Sequence, residues 1–417
     1  MNRNSVTTSL LSAVLLTTIL LTGLSCTRQA HVVWQRRFDT YDKNLNSSVA
    51  TDGRDIIVGT TSLDTSGAQH LVWQFVRYDR NGNQQWQRSY PQPEGFLADV
   101  AVAPDHDIIG VGWERTSRGN PLASRLSLAR FTAQGELKWQ KDYQFGWSTR
   151  GAALGLDTIG RIWVCGSAVT SDYGDTDLLV ARFDSLGNLL DSVTIDFGGH
   201  ETGRNLLLIP SRFHALGGIF VAGERTPQPG RPDTLTTRDI VVVSLDQNLQ
   251  EKWRWVYNSG SDDALAGLAW QDCICLAVTS RGDSGVVTHL VEHSAEGCYP
   301  SIEQDTRYAG MPKASCAGLV RDRSGALLGV GAHGPSDRQR YLGWRYLRGR
   351  FTEFLTGDRY APGWVDQAKD LAVDADGNVI VTGVSAKSET DVGILTIKLA
   401  LPRYKPPPGI WLPNMYR

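Results

Sequence analysis

The chain is expected to be all-β, a seven-bladed β-propeller built from four-stranded antiparallel blades. Three observations predict this. First, a strand of the form W-x-x-x-aromatic recurs at Trp34–Phe38, Trp86–Tyr90, Trp139–Tyr143, Asp191–Ile195, Trp253–Tyr257, Gln304–Tyr308 and Thr356–Tyr360, in steps of 52, 53, 52, 62, 51 and 52 residues. A fixed period of this length marks a ring or array of like units, each needing its neighbours to bury its faces. Second, the same series of short strands and turns lies between successive copies. Third, 13 Trp and 43 Gly in 417 residues, with only 3 Met, suit a turn-rich β protein rather than a helical one.

The N-terminus reads as an export signal. Arg3 precedes an uncharged stretch, residues 9–25, that stops at Cys26. Its length is marginal for a bilayer span of about 20 residues. It resembles a bacterial lipoprotein signal, cut before Cys26 so that the thiol is acylated. An uncleaved anchor and an ordinary secretory signal are the alternatives, and all three carry the rest of the chain across the inner membrane. Thr27 after the cysteine is not an inner-membrane retention residue, so the outer membrane is favoured over the inner. The expected division is a signal over 1–25, a lipidated tether over 26–33, a propeller over 34–401 and a tail over 402–417.

The last unit shows the blade most plainly. Residues 368–374 alternate, the Asp376-Gly377 turn comes next, Val379–Gly383 forms a second strand and 391–399 a third. An Asp-Gly turn between β-branched runs is a strong hairpin signal. The third strand recurs as Phe75–Asp79, Leu128–Phe131, Val180–Asp184 and Val242–Asp246, and the two that continue into Asp-x-x-Gly (Asp79–Gly82, Asp184–Gly187) then turn into the Trp-led strand. Gly59, Gly112, Gly166, Gly223, Gly331 and Gly383 close the second strand and are expected at sharp strand ends near the axis. Thr279 in the fifth unit departs from this and reads as drift.

The chain starts on a Trp-led strand before any complete blade and ends after three strands of the last one. Trp34–Phe38 should therefore pair with 391–399, closing the ring and removing free edges. The long step comes from Glu224–Arg238, a Pro- and Thr-rich loop in the fourth blade that solvent accommodates at little cost. The tail, with five Pro and several aromatics, either packs across the underside or docks a partner.

These segments carry a family resemblance. Residues 368–383 (AKDLAVDADGNVIVTG), 180–188 (VARFDSLGN) and 86–90 (WQRSY) resemble the bacterial SBBP-type seven-bladed propeller repeat family over residues 34–400. The resemblance implies the fold and an exported or surface protein, but no activity. A fainter similarity to quinoprotein-like propeller lipoproteins rests on hairpins such as Gly82–Trp86 and Gly135–Trp139; those propellers have shorter blades and eight of them.

A net charge of −2 and a pI near 6.5 give no electrostatic footprint for nucleic acid. Beyond Cys26, five cysteines remain, an odd number that leaves at least one thiol free. Cys165, Cys273 and Cys275 sit in strand patterns and read as buried apolar residues. A disulfide such as Cys273–Cys298 is an alternative. No histidine or second cysteine pair stands at ligand spacing from Cys273-x-Cys275, so no metal site is expected. Gly282-Asp-Ser284-Gly285 matches the string around a protease nucleophile, and the Arg281-Gly-Asp283 triplet overlaps it; His289 and His293 fall on the next strand, and a turn explains both. Asp374-x-Asp376-Gly377 lacks the bidentate Glu of a calcium loop. Asp177, Asp239 and Asp391 open third strands in step, as a carboxylate collar or as loop caps, and caps are the simpler account.

Function is then expected on the face where loops enter the innermost strands, since such a face gathers residues from every blade. The candidates are Glu94 and Phe96, then Trp147 and Arg150, then His200, Glu201 and Arg204. Asp262, Asp263, Lys313, Trp364 and Asp366 complete the set. Mixed charge with two Trp suits a protein, peptide or glycan better than a phosphate. The expectation is a monomeric, non-catalytic interaction module of the cell envelope, held to a membrane by its lipid and using no cofactor. The alternative is an exported glycan lyase or hydrolase, or a quinone-type dehydrogenase, for which His200 with Glu201 is the adjacent pair to test.

Overall fold

A computed structural model describes residues 30–402 except 40–42, 65–69, 92–94, 117–122, 171–173, 210–217, 227–236, 272, 284, 294–302, 309–313, 336, 348, 357–364 and 389–390. Among the described residues there are 28 strands and no helix. They form seven four-stranded antiparallel sheets. Six sheets run in chain order from an inner to an outer strand. Their inner strands are β2 (Lys43–Thr51), β6 (Gly95–Val102), β10 (Ser148–Leu156), β14 (His200–Ile209), β18 (Asp262–Trp270) and β22 (Ser315–Arg321). The seventh, with inner strand β26 (Val365–Val373), takes its outer strand from the other end of the chain. Each inner strand touches the next, and β26 returns to β2, so the sheets close about one axis.

The closing strand β1 (His31–Phe38) pairs antiparallel with β28 (Val392–Ala400), with Trp34 opposite Lys398 and Phe38 opposite Ile394. It starts at His31, so the segment expected as tether loses residues 31–33 to the sheet. The seventh repeat copy needs a larger correction. The outer strand of blade 6 is Arg350–Thr356, not Thr356–Tyr360. Phe351 takes the place of the usual Trp, packing edge-on against Trp344 at 5.2 Å and against Tyr346 at 4.8 Å. The aromatic bulk has moved to the third strand, which displaced the repeat pattern. Residues 357–360 lie outside the described set.

The repeat motif joins blades. Asp79 Oδ1 accepts from the N–H groups of Asn81 and Asn83, both at 2.8 Å, fixing a turn that needs Gly82 at φ 80°. Trp34 of the preceding blade donates its Nε1–H to the Arg80 carbonyl at 3.1 Å, and Trp86 repeats this to Ala133 at 3.0 Å. The turn glycine lies on the indole: a Cβ on Gly82 would meet Trp34 at 2.6 Å, and one on Gly187 would meet Trp139 at 2.7 Å. The Tyr90 and Tyr143 hydroxyls donate to the Gly135 and Gly187 carbonyls. The spacing W-x-x-x-Tyr is thus that of two side chains on one strand face gripping the neighbouring blade's turn.

A charged lock reinforces the grip. Arg77 pairs with Asp55 at 2.6 Å and donates to the Ala133 carbonyl at 2.8 Å. Arg130 pairs with Asp107 at 2.7 Å and donates to the Ser185 carbonyl at 2.7 Å. Lys398 pairs with Asp374 at 2.7 Å and donates to the Arg80 carbonyl at 3.0 Å. That pair and the Asp374 turn, whose Oδ1 accepts from Asp376 and Asn378, account for the calcium-like string.

Every inner strand carries one register shift, such as Gly151/Ala153 in β10 and Leu97/Asp99 in β6. Gly112, Gly166, Gly223, Gly331 and Gly383 face it from the middle of the second strand, not from its end, whereas Gly59 lies opposite Ser48, where a Cβ would meet Val100 and Leu97 of the next blade. A Cβ on Gly112 would lie 1.8 Å from the Phe96 carbonyl oxygen, and one on Gly166 would lie 1.9 Å from that of Arg150. The reason for glycine is this close approach at a bulge, rather than a sharp turn. Thr279 is no drift: its hydroxyl accepts the Cys316 N–H of the next blade at 3.0 Å. The second strands are apolar and fully buried, Val58, Val164, Val221 and Leu276 among them, and pack between adjacent sheets.

Candidate ligand-binding face

Inner strands all start on one face, where the loops from the preceding blades arrive and the second-to-third-strand loops also lie. Glu94, Lys313 and Trp364 lie outside the described residues. The others fall into two groups.

The first group is structural. Glu201, Asp263 and Asp366 are each the second residue of an inner strand and are 0% exposed. Asp263 accepts from the Ser259 N–H at 2.9 Å and its hydroxyl at 2.6 Å, and also takes the Ser280 hydroxyl. Glu201 Oε1 accepts the Gly199 N–H at 2.8 Å. Thr149 in β10 does the same for the Phe145 N–H at 2.8 Å. Glu201, Asp263 and Thr149 cap the incoming loop, and Asp366 lies 3.8 Å from Arg340; these buried side chains are not presented to a ligand. His200 and Glu201 therefore form no dyad. Neighbours in a strand point to opposite faces, and His200 Nδ1 lies 3.8 Å from Asp175.

Arg204 and Asp262 belong to a chain of charges crossing blades 4 and 5. Arg204 reaches Glu224 at 3.0 Å, Glu224 reaches Arg238 at 3.4 Å, and Arg238 reaches Asp262 at 2.8 Å. Arg238 holds the Asp262 carboxyl below its ordinary range. The carboxylate collar dissolves into separate contacts within blades: Asp239 with Arg225 at 2.7 Å, Asp391 with Arg37, and Asp177 with the Thr170 hydroxyl.

In the second group Trp147 is open to solvent, while Phe96 and Arg150 are half-buried. Trp147 is 65% exposed, held by its N–H to the Val169 carbonyl at 2.8 Å after Gly146, whose φ is 95°. Three residues further along the chain, the Arg150 guanidinium lies 4.4 Å over Trp113, and Trp113 packs at 4.6 Å on Phe96. Arg150 Nε donates to Ser124 Oγ at 3.3 Å. Burial and Arg115 lower the Arg150 pKa. Phe96, Trp113 and Arg150 make a cation–π stack from blade 2 into blade 3. Trp113 escapes sequence reasoning because it lies at the end of a second strand and meets Arg150 only across blades.

Local spacing in the sequence predicts no metal ligands. Among the described residues, two groups place one ligand atom each within 4.8 Å of one another: Asp177, Asp196 and Glu201, and Cys273, Cys275 and Glu292. Both form through strand pairing and blade contact, which local spacing does not reveal. In the first group burial, and then Asp196 and Asp177, push the Glu201 carboxyl up to about 7. The opposite face holds a pocket of about 360 Å³ between blades 3 and 4, lined by Leu156, Ile159, Trp163, Leu208 and Ile219. None of the site residues expected from the sequence borders it.

No family model matches the sequence, and no curated protein matches it. Among solved structures the chain is similar to a polysaccharide lyase, a PL25 ulvan lyase, at 10% identity, over 86% of this chain and 95% of that one, with a TM-score of 0.56. It is also similar to the polysaccharide lyase Uly1 at 11% identity, over 87% of this chain and 91% of that one, with a TM-score of 0.52. The likeness is one of fold: this chain is a seven-bladed β-propeller, and no family model supports the SBBP-type repeat itself.

Proposed function

We propose that the protein is a non-catalytic interaction module of the bacterial cell envelope, exported by its N-terminal signal, lipidated at Cys26 and monomeric. It binds a peptide, protein or glycan on the loop-entry face of blades 2 and 3. Trp147 carries the reading. A Trp this exposed, three residues before an arginine stacked on Trp113, offers a flat apolar surface with polar edges, the chemistry that stacks on sugar rings or aromatic side chains. Glu201 and Asp263 are engaged in capping, and Asp262 and Asp366 in ion pairs. Capture from detergent-solubilised envelopes tests it, using the full chain, Trp147→Ala and a chain lacking 403–417. Loss of the captured partner with Trp147→Ala supports the face. Unchanged capture by Trp147→Ala sinks it, and loss only with the shortened chain assigns binding to the tail instead.

A second reading, an exported enzyme acting on a polysaccharide, draws on one observation: the Glu201 carboxyl holds its proton to about pH 7, a range suited to general acid–base work. Its full burial speaks against contact with a substrate. Incubation with anionic polysaccharides tests it. Turnover that disappears in His200→Ala with Glu201→Gln would replace the first reading.

A further inference from the structure

The charged lock is inverted in one blade. In blades 1 and 2 the acid, Asp55 or Asp107, directly precedes the second strand, and the cation stands opposite that strand's second residue: Arg77 opposite Ile57, Arg130 opposite Ile109. Arg182, Arg345 and Lys398 occupy the cation's position in blades 3, 6 and 7. In blade 5 that position is Glu292, opposite Cys275. Cys273 stands where Asp55 and Asp107 stand. An acid and a cation have thus been replaced by a thiol and an acid, with a second thiol between them.

The geometry of this corner is specific. Cys273 Sγ and Cys275 Sγ are 3.6 Å apart, and the Glu292 carboxylate completes a group within 4.8 Å. Two sulfurs bound at about 2.3 Å to a tetrahedral zinc stand about 3.8 Å from each other. A disulfide would need about 2.05 Å, and both thiols are free here. Cys275 is buried, while Cys273 and Glu292 are partly exposed, which leaves a path for entry. Burial raises the Glu292 pKa, and the Cys273 thiol together with burial raises that of Cys275. The corner is left without the positive charge that its counterparts in blades 1, 2, 3, 6 and 7 have.

We propose that Cys273, Cys275 and Glu292 bind a zinc ion that supplies the cation of the blade 5 lock. Thiolate ligands select zinc over calcium or magnesium. Each thiol releases its proton to solvent as its sulfur–metal bond forms, and the fourth tetrahedral position is left for water. The site lies on the turn side of the blade, away from Trp147, and does not depend on the proposed ligand face.

Metal analysis and cobalt titration of the full chain, purified under reducing conditions, test the proposal. One zinc per chain is expected, and cobalt should give thiolate charge-transfer absorption. Cys275→Ser and Glu292→Gln should each weaken binding at least about tenfold. Chelation should lower the Tm of the unaltered protein by several degrees and leave these variants unmoved. Cys273→Asp with Glu292→Arg, which installs the pair of blades 1 and 2, should bind no zinc and keep its Tm in chelator. Reduced protein that takes up neither metal, binding undiminished in Cys275→Ser, or a mass lower by two hydrogens from a Cys273–Cys275 disulfide in exported protein would each overturn it.

Discussion

Glu201 shows how a residue that looks functional in the sequence becomes structural in the fold. Its place beside His200 suggests a catalytic pair, yet alternation along β14 sends one side chain into the loop cap and the other toward Asp175. Its pKa is raised, so the folded state holds a proton that the unfolded chain gives up at ordinary carboxyl pH. That stabilisation is complete below the unfolded value and is lost as pH rises toward about 7. Thermal melts from pH 4 to 8 should therefore show Tm falling with pH, and Glu201→Gln should flatten the fall. Trp147 is the opposite case. Its indole is mostly in solvent, so Trp147→Ala should leave Tm within about 1 °C while weakening ligand capture. Trp147 was legible as a residue of the entry face. Phe96 and Arg150 were legible in the same way, but Trp113 and the stack it forms with them were not, because no local pattern reports which side chains meet across two blades.

At the scale of the element, the hairpins and Asp-turns were legible because their signals are local: Asp79 and Gly82 determine their own turn. The bulge was not legible. Gly112 and Gly166 are explained by a carbonyl on the neighbouring strand. Gly166→Ala should cost more than about 2 kcal/mol in chemical denaturation, since the methyl group would displace the Arg150 carbonyl or flatten the bulge. The lock has its own cost. Arg130 is 9% exposed and Asp107 4%. Arg130→Ala leaves Asp107 with Lys138 alone and frees the Ser185 carbonyl, so a loss of about 2–4 kcal/mol is expected by the same measurement. Inner strands also meet through acids. Ser48 Oγ lies 2.8 Å from Asp99 and 2.9 Å from Asp370, joining blades 1, 2 and 7. Burial and the nearby Asp99 push the Asp370 carboxyl up to about 7. Asp370→Asn should thus gain stability relative to the native chain progressively as pH rises from about 4 to 8, with the largest gain at pH 8, read from paired denaturation curves.

For the molecule as a whole, the period and the three-strand final unit were enough to infer the closed ring, because both are properties of chain order rather than of contacts. The one shifted copy, at Arg350–Thr356, arose where the Trp had moved to another strand. The pairing of β1 with β28 also separates the order of synthesis from the order of assembly. Strand β1 has no partner until β28 has been made. Six blades can form their hairpins as they emerge, while Trp34 and Phe38 wait with their apolar faces uncovered. A chain that stalls late in translation would keep β1 unmated at one end and the edge of β27 (Val379–Ala386) open at the other, ready to recruit another copy. Assembly of this protein therefore depends on β28 more than on any blade in the middle.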